Sequence, residues 1–257
     1  MTPRIAFAGD RDIAVWVLDY LLERGCTPAA LLVSAPERAS HAAELQARLH
    51  ELPPSRVLRG AEFRTGAGWD MLRSLGLEYI VAIHFPYIFP SDVLALPRVG
   101  VLNLHPAFLP YNRGWHTASW AILEGTPIGA TLHYVDEGVD TGDIVHQRRI
   151  EVEPDDTADR LYHRLKRLEL DVFREAWPSL EAGSIRRTPQ PSGEGATHAK
   201  VELLRADVQR IDCDATMRAG DLLRRLRALT TSDLAEAAWF EADGARYRVQ
   251  VSIHRER

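Results

Sequence analysis

The sequence predicts an α/β protein with a mainly parallel, doubly wound central sheet and a small C-terminal α+β element that contains a β-hairpin. Short apolar runs alternate with amphipathic stretches in the first part of the chain, which is the pattern of βαβ units. The 257 residues suffice for one large domain with an appendage. The apolar share of 46% and the charged share of 26% are ordinary for a globular protein and exclude a disordered or fibrous chain.

The predicted strands and helices follow one another from the N-terminus. A first strand at Arg4–Ala8 ends at Gly9-Asp10, and the apolar residues of the helix predicted at Ile13–Glu23 then share one face. Further strands are predicted at Ala29–Val33, Arg56–Leu58, Tyr79–Ile83, Val99–His105, Ala130–Val135 and Ile144–Ile150, with helices at about Pro36–His50, before Tyr79 and at Trp115–Glu124. The last two strands are expected to pair about the polar connection between them.

A catalytic domain is predicted at residues 1–182, a linker at 183–197 and a small C-terminal domain at 198–257. Asp155-Asp156 begins a long amphipathic helix, and the stretch after it carries two prolines and three glycines among polar residues, which is typical of a linker. Beyond the linker, a helix is expected at Ala219–Leu229. Strands at Ala238–Glu241 and Tyr247–Ile253 flank Asp243-Gly244, a strong hairpin signal.

Charge and cysteine content exclude several classes of protein. The formal net charge is −5, which is not the electrostatic footprint of a dedicated nucleic-acid binder. Cys26 and Cys213 have no CxxC spacing, and His133 and His163 have no second ligand at metal spacing, so neither a disulfide framework nor a metal site is predicted. No apolar run is long enough to cross a bilayer, and the cytoplasm is the expected compartment.

Polar residues at the exits of the predicted strands are the candidate site residues, because ligands of parallel sheets bind outside the carboxyl ends of the strands. Asn103 and His105 are two apart on an extended segment, so their side chains share one face. Asp140 lies between Gly138 and Gly142, which permit a close approach of backbone to a ligand. From the neighbouring strand end, Asp140 is placed to reach His105.

An amide, an imidazole and a carboxylate without a serine or cysteine nucleophile favour direct transfer over a covalent acyl-enzyme. An amine would attack a carbonyl carbon while Asn103 donates to the developing oxyanion. His105 would either accept the proton of the amine or stabilise the charge as an imidazolium, with Asp140 fixing the ring. On spacing alone, strand-end residues bonded to nearby backbone explain the same pattern.

NLHPAFLPYNRG followed by VDEGVDTGDIV resembles the formyltransferases that use a 10-formyltetrahydrofolate donor, which include glycinamide ribonucleotide, initiator-tRNA and nucleotide-sugar formyltransferases. The resemblance is tightest over residues 78–150 and extends to about residue 180. It implies a Rossmann-like formyltransferase domain in which Asn103, His105 and Asp140 are the catalytic set. It also implies a folate pocket, formed largely by backbone groups of Phe85, Pro86, Tyr87, Ile88, Val135, Asp136 and Gly138.

Within that family, the acceptor is predicted to be a dTDP- or GDP-linked 4-amino-4,6-dideoxy sugar for O-antigen or other glycan synthesis. Trp115-His116 follows Arg113-Gly114 at positions where the tRNA-modifying relatives usually have small residues, and His84-Phe85-Pro86-Tyr87 resembles the sugar enzymes. Candidate sugar-nucleotide contacts are Arg11, His84, Tyr111, Arg113 and Trp115. From residue 198 onwards, 11 cationic and 10 acidic residues leave a charge of only +1, which argues against tRNA. A homodimer without nucleic-acid or membrane partners is expected. Formylation of methionyl-tRNA or another small amine, and a non-catalytic folate or nucleotide-sugar binding module, are the alternatives.

Overall fold

The computed structural model describes residues 2–191 and 193–256, which form the α/β architecture expected from the sequence. Its strands are β1 (Ile5–Gly9), β2 (Ala30–Val33), β3 (Val57–Arg59), β4 (Tyr79–Ile83), β5 (Gly100–His105), β6 (Arg113–Gly114), β7 (Ile128–Tyr134), β8 (Ile144–Ile150), β9 (Thr197–His198), β10 (Ala238–Ala242) and β11 (Ala245–Val249). The helices are α1 (Arg11–Glu23), α2 (Ala42–Arg48), α3 (Gly66–Ser74), α4 (Ser91–Leu94), α5 (Thr117–Glu124), α6 (Ala158–Glu181), α7 (Ala206–Gln209) and α8 (Ala219–Ala228). None of the helices formed by these described residues combines the length and apolarity that crossing a membrane requires.

The central sheet has the strand order β3-β2-β1-β4-β5-β7-β8. β1 pairs in parallel with β2 and β4, and β4 pairs in parallel with β5, while β7 runs antiparallel to β5. The mainly parallel sheet predicted from the sequence is therefore confirmed. β1, β2 and β4 are buried along their whole length, as expected for strands covered on both faces.

Two compact units interleave along the chain. The first comprises Met1–His105, Thr131–Gln147 and Glu169–Gln190, and the second comprises Pro106–Ala130, Arg148–Leu168 and Pro191–Arg257. In the first unit, apolar side chains of β1, β2 and β4 pack with Phe63 and Leu72 into a core. In the second unit, Ile122 packs with Leu161 in one cluster, and Leu203 packs with Leu229 in another.

The second helix is shorter than the Pro36–His50 range that its sequence predicts, because α2 begins only at Ala42. The carboxylate of Asp10 accepts hydrogen bonds from the backbone N–H groups of Ser40 and His41, 2.9 and 3.3 Å long. These two amides therefore turn towards Asp10 and do not continue a helix.

The helix predicted at Trp115–Glu124 begins two residues later, at Thr117. The N–H of Trp115 donates to the carbonyl oxygen of His198, and His116 has a φ of 58° that interrupts the helical backbone. Both observations explain the later start.

The predicted C-terminal hairpin is present, with Asp243 and Gly244 at positive φ in its turn. Its second strand is shorter than predicted and ends at Val249, which pairs with Ala238, the first residue of β10. Beyond that pair the first strand offers no further partner to extend the ladder, and the N–H of Val251 donates instead to Thr230 Oγ1.

Candidate active site

Asn103 and His105 lie at the carboxyl end of β5, where the neighbouring parallel strand β4 also ends. Alternation along the strand places both side chains on one face, as the sequence predicts. Leu102 and Leu104, between and beside them, are fully buried. The apolar face of β5 thus holds the strand in the core and directs its polar face to the strand exit.

A single carboxylate bridges the amide and the imidazole. Asn103 Nδ2 lies 3.4 Å from Asp140 Oδ1, and His105 Nε2 lies 3.4 Å from Asp140 Oδ2. The side chains of His105 and Asp140 are 9% and 15% exposed, so their interaction is only weakly screened by water. The structure brings together the three residues that the sequence predicts as the catalytic set.

His133 is a fourth polar member of this cluster, although the sequence predicts no role for it in the site. Its Nδ1 lies 2.7 Å from the carbonyl oxygen of Tyr134, which can only accept, so Nδ1 carries a proton. In the neutral ring, Nε2 then accepts from Asn103 Nδ2 at 3.2 Å, and it lies 3.5 Å from Asp140 Oδ1. His133 and Asp140 therefore both face the amide nitrogen of Asn103.

The loop between β7 and β8 presents the Asp140 carboxylate. Asp136 Oδ1 accepts from the N–H of Gly138 at 3.1 Å and from Thr141 Oγ1 at 2.6 Å, closing the loop on itself. Asp140 has a φ of 53°, in the left-handed region that non-glycine residues seldom adopt. Such backbone strain is concentrated at functional sites.

Two aromatic residues of the predicted folate segment, Phe85 and Tyr87, pack together after the end of β4, with ring centroids 5.0 Å apart and ring planes tilted by 43°. Both rings pack against Phe63, at 5.6 and 6.4 Å, and the Tyr87 hydroxyl accepts from the N–H of Ala35 at 3.1 Å. Core packing therefore fixes the course of this segment.

The same segment also carries exposed apolar surface. Pro86 is exposed, and 77% of Ile88 is accessible although its carbonyl oxygen accepts a hydrogen bond from Arg64. An isoleucine this exposed at a strand exit offers apolar area for a flat aromatic ligand.

The second predicted folate segment lies beside the first. Val135 packs against the same core cluster as Phe85, and Ser91 Oγ donates to Glu137 Oε1 at 2.7 Å. Val139, in the same loop, is 51% exposed. The two segments that the sequence assigns to the folate thus lie next to each other.

His84 and Arg11, two predicted sugar-nucleotide contacts, also occupy strand exits with positive φ, at 50° and 66°. His84 Nε2 lies 2.8 Å from Glu169 Oε1, and the side chains are 8% and 0% exposed, so this imidazole has a buried carboxylate partner. Arg11 is exposed, and its N–H donates to the Asp10 carboxylate, which occupies the N-terminus of α1. Neither carboxylate is among the site residues that the sequence predicts.

The remaining predicted contacts, Tyr111, Arg113 and Trp115, belong to the second unit. Arg113 pairs with Thr197 in the short ladder of β6 and β9. Trp115 is 41% exposed, and the Lys200 ammonium lies 4.8 Å from its ring centroid. Within the part of the chain that the structure describes, no cluster of three histidine, cysteine or acidic residues is arranged to hold a metal ion.

Comparison with protein families matches most of the chain. A model described as formyl transferase matches residues 4–177, and a model described as the N-formyltransferase dimerization C-terminal domain matches residues 205–255.

Individual relatives fall into two groups by acceptor. Methionyl-tRNA formyltransferase of Myxococcus xanthus is 34% identical over 232 residues, which is 89% of this chain and 73% of that protein. The dTDP-4-amino-4,6-dideoxyglucose formyltransferase of Mycobacterium tuberculosis is 31% identical over 180 residues, 70% of this chain and 75% of that protein.

Solved structures of formyltransferases also resemble the chain. The Mycobacterium tuberculosis protein Rv3404c, described as a sugar N-formyltransferase candidate, superposes with a TM-score of 0.79 at 26% identity and 99% coverage of both chains. The formyltransferase PseJ from Anoxybacillus kamchatkensis, in complex with UDP-4,6-dideoxy-4-formamido-L-AltNAc and tetrahydrofolate, matches with a TM-score of 0.52 at 30% identity, covering 66% of this chain and 86% of that one. These matches confirm the resemblance and the Rossmann-like fold that it implies, and the chain is a formyl-transferring enzyme that belongs to the formyl transferase family.

Proposed function

We propose that the chain transfers the formyl group of 10-formyltetrahydrofolate to the amine of a dTDP- or GDP-linked 4-amino-4,6-dideoxy sugar. The main support for the proposal is that the Asp140 carboxylate contacts both Asn103 and His105 at the carboxyl end of β5. An amide donor and an imidazole held by one carboxylate supply the groups that direct acyl transfer to an amine requires.

In the transfer, the amine nitrogen bonds to the formyl carbon and the bond from that carbon to N10 of the folate breaks. As negative charge develops on the formyl oxygen, the Asn103 side chain donates a hydrogen bond to that oxygen. This hydrogen bond replaces the 3.4 Å contact between Asn103 Nδ2 and Asp140 Oδ1. His105 accepts the proton that the amine loses and returns it to N10. The Asp140 carboxylate stays ionised and stabilises the imidazolium that forms.

The folate would bind along Phe85–Ile88 and the loop that carries Val135, Asp136 and Gly138. Exposed Ile88 and Val139 fit the apolar face of a pterin, and backbone groups of both segments would recognise its edge. Tetrahydrofolate in the related PseJ complex supports this co-substrate.

The choice of a nucleotide-linked amino sugar is supported by the sugar-modifying relatives. The Mycobacterium tuberculosis relative is named for a dTDP-linked 4-amino sugar, and PseJ holds a UDP-linked formamido sugar. The C-terminal charge of only +1 is unsuited to tRNA. Arg11, His84, Tyr111, Arg113 and Trp115 are the proposed contacts of the sugar nucleotide.

The proposed organisation is a catalytic domain at 1–182, a linker at 183–197 and a dimerisation element at 198–257. The family model that matches residues 205–255 is described as a dimerization domain, which supports a homodimer.

Formylation assays test the substrate. The protein is incubated with 10-formyltetrahydrofolate and, separately, with dTDP-, GDP- and UDP-linked 4-amino-4,6-dideoxy sugars and with methionyl-tRNA, and products are identified by the mass of an added CO. At least one sugar nucleotide is expected to be formylated, and methionyl-tRNA is not. Because 34% identity to a methionyl-tRNA formyltransferase favours tRNA as the second candidate, formylation of methionyl-tRNA alone would establish that alternative.

Variants of the same assay test the site. His105→Asn and Asp140→Asn are expected to lower kcat by at least about a hundredfold, since a positioned acid–base group contributes that much or more. His146→Asn, which breaks a 2.8 Å histidine–carboxylate pair with Glu175 elsewhere in the same unit, is the matched control and keeps its rate. Near-normal turnover in both site variants contradicts the assignment, and ligand binding without any turnover in the native protein indicates a binding module.

A further inference from the structure

Gln190 belongs to the predicted linker, yet its side chain reaches the loop that carries Asp140. Its Nε2 donates to the carbonyl oxygen of Asp140 and to that of Gly142, and both hydrogen bonds are 2.8 Å long. One amide group therefore holds two peptide units of the loop. We propose that Gln190 is a positioning residue for the Asp140 carboxylate, an inference that rests on the role of Asp140 in the proposed formyl transfer.

The backbone of Asp140 needs such support. Its φ of 53° is a conformation that an unrestrained chain seldom populates. The direction of its carbonyl oxygen is set by the rotation about the bond between Cα and the carbonyl carbon. A donor that fixes this oxygen thus fixes the peptide plane next to the carboxylate-bearing Cα.

Two side-chain contacts of the Asp140 carboxylate are long. Its distances to Asn103 Nδ2 and His105 Nε2 are both 3.4 Å, beyond the usual range of a strong hydrogen bond. The two bonds from Gln190 are shorter, and they act on the backbone of the same loop. Positioning by Gln190 therefore leaves the carboxylate itself available to His105.

Gln190 is in turn held in place by the segment that precedes it. Two residues earlier, Thr188 exchanges two backbone hydrogen bonds with Ile144, the first residue of β8, at 2.8 and 3.0 Å. The Gln190 side chain is half-buried. A path of bonded groups thus runs from the start of β8 through Thr188 and Gln190 to Asp140.

The test compares Gln190→Met, which keeps the length of the side chain and removes its N–H donors, with Gln250→Met. Gln250 Nε2 also donates to a backbone carbonyl, that of Thr231 at 2.8 Å, but at an exposed site in the second unit. Gln190→Met is expected to lower kcat by about tenfold to a hundredfold with KM for both substrates within about threefold, because a displaced catalytic group slows the chemical step more than binding. Gln250→Met keeps the native kcat.

Hydrogen exchange measured by mass spectrometry gives a readout that needs no acceptor. Amides of residues 136–143 are expected to exchange at least about tenfold faster in Gln190→Met than in the native protein, because the loop opens more easily without the two hydrogen bonds. The exchange rates of other peptides are expected to be unchanged. The hydrogen-exchange measurement tests whether Gln190 holds the Asp140 loop even if no nucleotide sugar is formylated. Gln190→Glu, which has the same size and no N–H donors, replaces Gln190→Met if that variant does not fold.

Native kcat together with native exchange in the Gln190 variant overturns the proposal. So does a rise in KM at constant kcat, because it would assign Gln190 to substrate binding. An equal loss of kcat in Gln250→Met would also overturn it, since the effect would then be a general one.

Discussion

At the residue scale, Asp10 shows how one buried carboxylate organises a strand exit. Its oxygens accept from the N–H groups of Arg11, Ser40 and His41 and from the hydroxyl of Ser34. Burial alone would raise the pKa of this carboxyl, but the hydrogen bonds from Ser40, Arg11 and Ser34 outweigh it and hold the pKa below its ordinary value. The ionised form of Asp10 therefore stabilises the folded protein.

Asp10→Asn is expected to lower the free energy of unfolding by about 1.5 to 3 kcal/mol at pH 7, the range measured for hydrogen bonds to charged groups. Because the folded pKa is depressed, the contribution is present above the ordinary aspartate pKa of about 4 and is lost as the pH falls below it. Urea unfolding of both proteins at pH 7 and at lower pH measures the difference. Asp70→Asn, at an exposed position on α3 beside Arg73, is the control and shows no comparable change.

At the scale of elements, the connection between β7 and β8 depends on close backbone contact. A Cβ added at Gly142 would lie 1.9 Å from the carbonyl oxygen of Tyr134, so a side chain there must displace the backbone. The Gly142 carbonyl is also one of the two that Gln190 holds. A side chain at position 142 would therefore disturb both ends of the loop that presents Asp140.

Gly142→Ala is expected to lower kcat at least about tenfold, because a catalytic group displaced by a fraction of an ångström loses much of its effect. Gly220→Ala on α8 is the matched control, since nothing lies within 4 Å of its added Cβ, and it keeps the native rate. Alanine there removes chain entropy from the unfolded state and should raise stability slightly. Native kcat in Gly142→Ala would show that the loop tolerates displacement of its backbone.

At the scale of the whole molecule, the proposed homodimer predicts a mass in solution of about twice 28.9 kDa. Light scattering coupled to size-exclusion chromatography measures this mass across a range of protein concentrations. A monomer at every concentration contradicts the proposed role of residues 198–257.

Local pattern predicts the strands and much of the site. The strands predicted at Tyr79–Ile83 and Ile144–Ile150 have the bounds that the structure shows. Tyr79–Ile83 is a continuous apolar run preceded by Glu78, and acidic residues stand directly before and after Ile144–Ile150. Asn103 and His105 lie at the carboxyl end of β5, where the topology of parallel sheets concentrates ligands. Asp140 follows β7, which runs antiparallel to β5, so this rule does not explain its position. Such signals depend on neighbours in sequence.

Long-range register explains what the sequence did not predict. His133 faces Asn103 because β7 runs antiparallel to β5 with these residues as direct partners, and every residue of β7 is buried, so no alternation marks His133. Gln190 reaches the Asp140 loop from 50 positions away. The late start of α2 likewise depends on Asp10, about 30 positions upstream of Ser40.

The strand order also identifies the two edges of the central sheet, and an open sheet edge can pair with a strand of another copy of the chain. One edge is β3, which is only three residues long. The other is β8, whose first residue is already engaged by Thr188 and whose far half carries the exposed side chains of Arg148 and Arg149. A short strand at one border and positive charge at the other disfavour edge-to-edge aggregation at high protein concentration.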